Sequence, residues 1–109
     1  MEFFRDCFSE ITERLNDADT SDLVAAADLI RGVGTSNNKV IVVGNGGSAA
    51  IASHLAVDLT KVAGIRAVNF NESSLLTCFA NDYGFEHWVE KAVDFYGDAG
   101  DLLIVISSS

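Results

Sequence analysis

The chain has 109 residues, which suits one domain of common size. Hydrophobic residues make up 49% of it and charged residues 21%, a balance that excludes a disordered segment and a membrane span. The 16 acidic against 7 basic residues give a net charge of −9, which disfavours nonspecific binding to nucleic acid or to an anionic membrane. Two cysteines, and no basic N-terminal run leading into an apolar stretch, favour a cytoplasmic protein without disulfides.

Two helices are predicted before the first strand. The first has apolar residues at the three- and four-residue steps of one helix face. These are Phe4, Phe8, Ile11 and Leu15. A polar stretch follows, in which Ser21 or Thr20 is suited to cap the second helix. Glycine and asparagine then break the chain, so residues 1–34 are expected to form a helical hairpin ahead of the core.

The remaining residues, 35–109, alternate strands with helices. The run 39–43 is Lys39 followed by four apolar, β-branched residues, which is typical of a strand covered on both faces in a parallel sheet. The elements predicted after it are a helix over 49–62, a strand over 65–70, helices over 73–80 and 85–95, and a strand over 102–106. This order predicts an α/β fold, a three-layer α/β/α sandwich with a parallel sheet. Because the last strand is so apolar, either further polypeptide or a partner is expected to cover its edge.

A glycine-rich turn, Gly44-Asn45-Gly46-Gly47-Ser48, joins the first strand to its helix. Backbone N–H groups and the positive end of a helix dipole converge at such a turn, which favours an anion. The alternative is a plain connection with Ser48 as the N-cap. Ser107, Ser108 and Ser109 end the last strand, and the carboxyl ends of parallel strands line one crevice, so these hydroxyls suit a phosphate or a sugar. Their alternative is a flexible chain end.

The same turn fits a second class of ligand. The spacing Gly44-x-Gly46-x-x-Ala49 matches the short dinucleotide-binding fingerprint. That fingerprint requires an acidic residue at the end of the second strand, where this sequence has Asn69 or Asn71 and only later Glu72. A nucleotide-binding fold is therefore the weaker alternative. A Walker-type loop is excluded because no Lys-Ser or Lys-Thr pair follows the glycines.

Several stretches, in order, resemble the sugar isomerase (SIS) domain family, and within it the phosphoheptose isomerases. They are Val43 to Ser48, His54-x-x-x-Asp58-Leu59-Thr60, Ala80 to Phe85, Gly100 to Leu103 and Ser107 to Ser109. The resemblance covers nearly the whole chain. It implies a single, flavodoxin-like SIS domain over residues 1–109, in which residues 35–109 form the first half of the α/β core and the C-terminal part of the fold is missing.

The resemblance also implies an activity, the isomerisation of sedoheptulose 7-phosphate to D-glycero-D-manno-heptose 7-phosphate. It implies a homotetramer with pockets between subunits, and the N-terminal helix is apolar enough to join an interface. The substrate-binding residues that it implies are Asn45, Gly46, Gly47, Ser48, Asp58, Asn81, Asp82, Ser107, Ser108 and Ser109.

His54 and Asp58 lie four residues apart on a predicted helix, so one metal ion could touch both. A carboxylate beside a metal supplies the base and the electrophile that ketose–aldose conversion requires. The resemblance implies zinc, with His54 and Asp58 as ligands and Asp58 as the catalytic proton-transfer residue. The family has the longer glutamate at that position, and its other metal ligands come from beyond residue 109. The alternative is a non-catalytic SIS protein that binds a sugar phosphate or a protein partner. This chain resembles such relatives in the small residues Ala49-Ala50 after the glycine turn.

Overall fold

The computed structural model describes residues 2–108 of the chain. Its elements are α1 (Glu2–Asn16), α2 (Thr20–Thr35), β1 (Val40–Gly44), α3 (Gly47–Lys61), β2 (Ala67–Asn69), α4 (Ser73–Tyr83), a 3₁₀ turn (Phe85–His87), α5 (Trp88–Tyr96) and β3 (Leu102–Ile106). Every predicted helix and strand is present, and none of the predicted ends differs by more than three residues. The helix predicted over 85–95 divides into the 3₁₀ turn and α5.

The three strands form one parallel sheet in the order β2-β1-β3. Val40 of β1 lies opposite Ala67 of β2 and Leu102 of β3. Because β1 is the central strand, its side chains are buried on both faces, and those from Val40 to Val43 are at most 2% exposed. This position explains why the strand is a continuous apolar run, and the predicted parallel α/β class is confirmed.

A separate apolar core lies on each face of the sheet, which makes the fold three-layered. Helices α2 and α3 pack on one face and α4 and α5 on the other. The buried residues of the first core are Val33, Val40, Val42, Ala52, Ala56 and Leu59. Those of the second are Ile41, Val43, Phe70, Trp88 and Ala92. The two cores take alternate residues of β1, as the two-residue period of a strand requires.

The N-cap of α2 differs from the prediction. Asp19 caps the helix, and its carboxylate accepts a hydrogen bond of 2.8 Å from the N–H of Ser21. The prediction of Thr20 or Ser21 as the cap was wrong because Asp19, in extended conformation, already reaches the free N–H groups of the first turn. A carboxylate is also favoured there by the helix dipole.

Among the apolar surfaces that the described residues leave uncovered are one on β3 and one on α1. On β3, Leu103 and Val105 are 42% and 60% exposed on the face that α5 leaves open. Helix α1 buries none of its residues and contributes none to either core. No helix within residues 2–108 is long and apolar enough to cross a membrane.

Candidate functional site

The glycine turn leaves the sheet where β1 ends and enters α3 after two residues. Gly46 is the N-cap of α3, with a φ of 57° that favours glycine, and it makes no side-chain cap. The alternative of Ser48 as the N-cap is therefore wrong, since the helix already begins at Gly47. The N–H groups of Ser48 and Ala49 donate to the carbonyls of Asn45 and Gly46, at 3.0 Å each. These two N–H groups are therefore bonded within the turn itself.

Gly44 is required at the end of β1 by a close approach of backbone. A Cβ at this position would lie 2.5 Å from the carbonyl carbon and oxygen of Ser48 and 2.8 Å from the nitrogen of Ala49. Real Cβ atoms do not approach backbone so closely, so any larger residue would push α3 away from the strand. The first turn of α3 therefore packs directly on the end of β1.

A cavity of about 150 Å³ opens at the carboxyl end of the sheet, between the glycine turn and the end of β3. The strand after β1 in the chain, β2, lies on one side of β1 in the sheet, and β3 lies on the other side. The strand order therefore reverses between β1 and β3, and ligands of open parallel sheets bind at the carboxyl ends of the strands at such a point. Gly44, Asn45 and Ser107 line the polar side of the cavity. Its other lining residues are Val43, Phe85, Trp88, Val89, Val105 and Ile106. The structure thus brings the glycine turn and the first serine to one cavity.

Sequence reasoning missed the apolar wall of this cavity. Phe85 and Trp88 were placed in a helix between strands, and nothing in that helix pattern distinguishes a pocket wall from core. Trp88 is in fact both, because it is only 4% exposed, belongs to the second core and still borders the cavity. The strand order would have located this apolar wall, because it shows which helix lies beside the ends of β1 and β3. The sequence pattern did not provide the strand order.

The other predicted ligand residues are not among those that line this cavity. Asn81 and Asp82 are exposed near the end of α4, where the Asn81 amide donates to Asp82 at 3.1 Å. The thiol of Cys78 donates to the other Asp82 oxygen at 3.6 Å, which raises the pKa of Cys78. Ser108 is exposed after β3, and Ser109 lies outside the described residues.

His54 and Asp58 form a pair on the outer side of α3. His54 Nε2 lies 3.4 Å from an Asp58 carboxylate oxygen, with 77% and 55% of the two side chains exposed. They are therefore adjacent, as their spacing predicts. Asp58 lies about 16 Å along the helix axis from Gly47, at a rise of about 1.5 Å per residue. Within one chain the carboxylate is thus remote from the cavity.

The donors of this pair fit two positions of a metal site but do not complete one. An imidazole nitrogen and a carboxylate oxygen are common zinc ligands, and a catalytic zinc usually has three protein ligands. Among residues 2–108, however, no three His, Cys, Asp or Glu side chains are grouped to hold a metal ion. His54 and Asp58 are therefore too few, by themselves, to hold a catalytic zinc ion.

The side chains at the end of β2 are all engaged with the chain itself, which weakens the dinucleotide alternative. Asn69 and Asn71 hydrogen-bond to the backbone of β1. The Glu72 carboxylate accepts from the Leu75 N–H at 3.0 Å as the N-cap of α4, and this bond lowers the pKa of Glu72. None of the three is left to hold the ribose hydroxyls that the fingerprint requires.

An open parallel sheet with a cavity beside its central strand is the architecture of a small-molecule-binding α/β protein. The profile of the SIS domain family matches residues 3–109, so the chain belongs to the SIS domain family. It is 36% identical over 114 aligned residues to the phosphoheptose isomerase of Bordetella avium, covering 97% of this chain and 56% of that protein. It is 38% identical over 88 residues to that of Fusobacterium nucleatum, covering 76% of this chain and 45% of that protein.

Solved structures agree with these relatives. The phosphoheptose isomerase of Neisseria gonorrhoeae superposes with a TM-score of 0.90 at 37% identity, covering 99% of this chain and 60% of that one. The enzyme of Francisella tularensis gives a TM-score of 0.84 at 26% identity, covering 99% of this chain and 59% of that one. The chain spans about half the length of the curated relatives it matches. The family resemblance and the predicted fold are both confirmed.

Proposed function

We propose that this chain forms the sugar-phosphate pocket of an aldose–ketose isomerase that converts sedoheptulose 7-phosphate to D-glycero-D-manno-heptose 7-phosphate. The observation that carries the proposal is the cavity in which Asn45 of the glycine turn meets Ser107 at the end of β3. Relatives named phosphoheptose isomerase, which align with nearly the whole chain, support the choice of substrate. The low cysteine content favours the cytoplasm as the place of action in this proposal.

The predicted ligand residues and the apolar lining of the cavity have distinct roles in this proposal. The carboxamide of Asn45, with Gly46, Gly47 and Ser48, binds sugar hydroxyls beside the turn. The hydroxyls of the serine loop, Ser107, Ser108 and Ser109, bind the phosphate. Asn81 and Asp82 bind further hydroxyls from the end of α4. Phe85 and Trp88 form the apolar wall that keeps water from the sugar.

Asp58 is the proposed proton-transfer residue. Its carboxylate removes the proton from the hydroxyl-bearing carbon beside the sugar carbonyl and returns it to the former carbonyl carbon, while the hydroxyl proton passes to the former carbonyl oxygen. Because Asp58 is exposed and remote from the cavity of its own chain, it serves the pocket of a second copy in this proposal. The exposed apolar face of α1, which includes Phe8 at 64% exposure, supports such an assembly. The proposed state is a homotetramer with pockets between subunits.

We further propose that His54 and Asp58 contribute two ligands to a zinc ion, whose remaining ligands come from outside the described residues. Bound there, the metal would supply a Lewis acid for the sugar carbonyl. The test is the metal content of the purified protein, measured by elemental analysis for the wild type and for His54→Ala. Equal metal content in the two proteins would contradict the assignment.

The function is tested by binding and by turnover. Sedoheptulose 7-phosphate at one hundred times its dissociation constant should add about 2.7 kcal/mol of stability, seen as a rise in the melting temperature. Asp58→Asn should lower turnover on the order of 10²–10⁴-fold. The matched control is Asp28→Asn, an exposed aspartate that likewise pairs with a basic side chain on its own helix. Binding without turnover in the wild type would favour the non-catalytic alternative, and a response to NAD alone would favour the nucleotide alternative.

A further inference from the structure

On its β2 side the end of β1 is held by a side chain, whereas on its β3 side the strand pairing continues to Gly44 and Ile106. Backbone pairing between β1 and β2 ends at Val42 and Asn69, whereas β1 continues to Gly44. Beyond Val42, the side chain of Asn71 replaces the strand as the hydrogen-bonding partner of β1 on this side. Its Oδ1 accepts from the Gly44 N–H at 3.0 Å, and its Nδ2 donates to the Gly44 carbonyl at 2.6 Å. One carboxamide thus satisfies both polar groups of a buried backbone residue, as a further strand residue would.

Asn71 is itself held in this orientation by its neighbour. Asn69 donates from Nδ2 to the Val42 carbonyl at 2.7 Å and to Asn71 Oδ1 at 3.2 Å. Its Oδ1 accepts from the Asn71 N–H at 3.0 Å and from the Ser53 hydroxyl at 3.3 Å. This chain of hydrogen bonds links β1, β2 and α3. The Asn71 carboxamide therefore has one orientation that satisfies every partner.

The Gly44 peptide is also the point on which the glycine turn depends. Gly44 packs so closely on the backbone of Ser48 that a Cβ would not fit, and the next residue, Asn45, lines the cavity. A shift of Gly44 would therefore move both the start of α3 and the side chain of Asn45. Backbone displacements of this kind are transmitted because the two segments are in direct contact.

We propose that Asn71 is the positioning residue of the glycine turn, acting through Gly44 to set where Asn45 meets the sugar phosphate. The role rests on the proposed function for its consequence in binding, but the Asn71–Gly44 contact itself does not. Loss of the carboxamide should loosen the turn and weaken ligand binding, while both apolar cores, which contain no atom of Asn71, keep the fold.

The first experiment needs no ligand. Amide hydrogen exchange at Gly44, followed by NMR, should be about tenfold faster in Asn71→Ala, because the acceptor of that N–H is lost. Asn71→Asp retains the acceptor for the Gly44 N–H but loses the donor to the Gly44 carbonyl, so the Gly44 amide should exchange faster than in the wild type and more slowly than in Asn71→Ala. It also provides a second variant should Asn71→Ala fold poorly. Unchanged exchange at Gly44 in Asn71→Ala would overturn the proposal.

The second experiment measures affinity for sedoheptulose 7-phosphate by calorimetry. Asn71→Ala should bind on the order of tenfold more weakly or worse. The matched control is Asn38→Ala, which removes an asparagine that bonds the Ala99 carbonyl at 2.9 Å at the opposite end of the sheet, and it should bind as the wild type does. Faster exchange with unchanged affinity would overturn the positioning role. A wild type that binds no sugar phosphate would instead refute the proposed function, and exchange across residues 44–47 would still decide the role of Asn71 in the turn.

Discussion

The Lys39 ammonium and the Asp101 carboxylate meet at 2.6 Å at the amino-terminal end of the sheet, where 14% and 6% of their side chains are exposed. Asp101 also accepts hydrogen bonds from the N–H groups of Lys39 and Asp98 and from the Asn38 amide. One buried carboxylate therefore joins the start of β1 to the turn before β3. This contact lies at the end of the sheet opposite the cavity and acts on stability rather than on binding.

Replacing Asp101 should destabilise the fold. Asp101→Asn leaves the Lys39 ammonium, whose side chain is 14% exposed, with only its exposed partner Asp98, at 2.9 Å. It also weakens the hydrogen bonds that Asp101 accepts from the Asn38 amide and from the N–H groups of Lys39 and Asp98. The expected loss is about 2–3 kcal/mol of unfolding free energy, measured by urea denaturation. Asp98→Asn is the control, because its side chain is 75% exposed and such pairs contribute about 0–1 kcal/mol. Equal losses in the two variants would contradict the assigned role.

The same carboxylate should determine the response to acid. Burial raises the pKa of Asp101. Hydrogen bonds from the Lys39 ammonium and from the N–H groups of Asp98 and Lys39 lower the pKa by more than burial raises it, so it lies well below the ordinary value of 3.8. A carboxylate whose pKa is lowered by folding stabilises the folded state at pH values above its unfolded pKa. This contribution to the unfolding free energy is lost as the pH falls toward the folded pKa. We expect unfolding free energy to decline from about pH 5 downward, and Asp101→Asn to flatten that decline. Parallel pH profiles for the two proteins would exclude this explanation.

Two glycines of the turn should respond in opposite ways to alanine. Gly44→Ala places a methyl group 2.5 Å from the Ser48 backbone and should cost about 1–3 kcal/mol of stability. Gly47→Ala is the matched control, since its Cβ would meet nothing within 4 Å and the residue lies in the first turn of α3. It should stabilise by about 0.5–1 kcal/mol through helix propensity. Thermal unfolding of both variants checks the contrast, which similar melting temperatures would disprove.

Helix α1 should hold copies of the chain together. Phe8 is 64% exposed, and no residue of α1 is buried within the chain. Phe8→Asp should shift the protein to a smaller mass in sedimentation equilibrium, because an apolar contact would become a buried charge. Asp6→Lys, on the opposite side of the same helix, is the control and should keep the wild-type mass. An unchanged mass for Phe8→Asp would remove α1 from the interface.

The residues alone predicted the class of the fold because local pattern and burial agreed along the chain. In the run 39–43, the four apolar, β-branched residues after Lys39 are typical of a strand covered on both faces, and the glycine turn marked where the chain leaves it. Helix ends were predicted less well. At α2 the cap moved to Asp19, and at α3 Gly46 took the place of Ser48, because several neighbouring residues can supply a cap and packing selects one.

The sequence by itself determined the parallel α/β architecture, the family and the adjacency of His54 and Asp58, all of which depend on short-range spacing or ordered motifs. Only the tertiary structure decided which of the candidate residues meet. In the order β2-β1-β3, Ser107 lies beside the glycine turn and Asp58 lies on another surface. The same order places Asn71 where its carboxamide hydrogen-bonds to Gly44. Strand order depends on which helix covers which face, a balance of packing over the whole chain that no local pattern encodes.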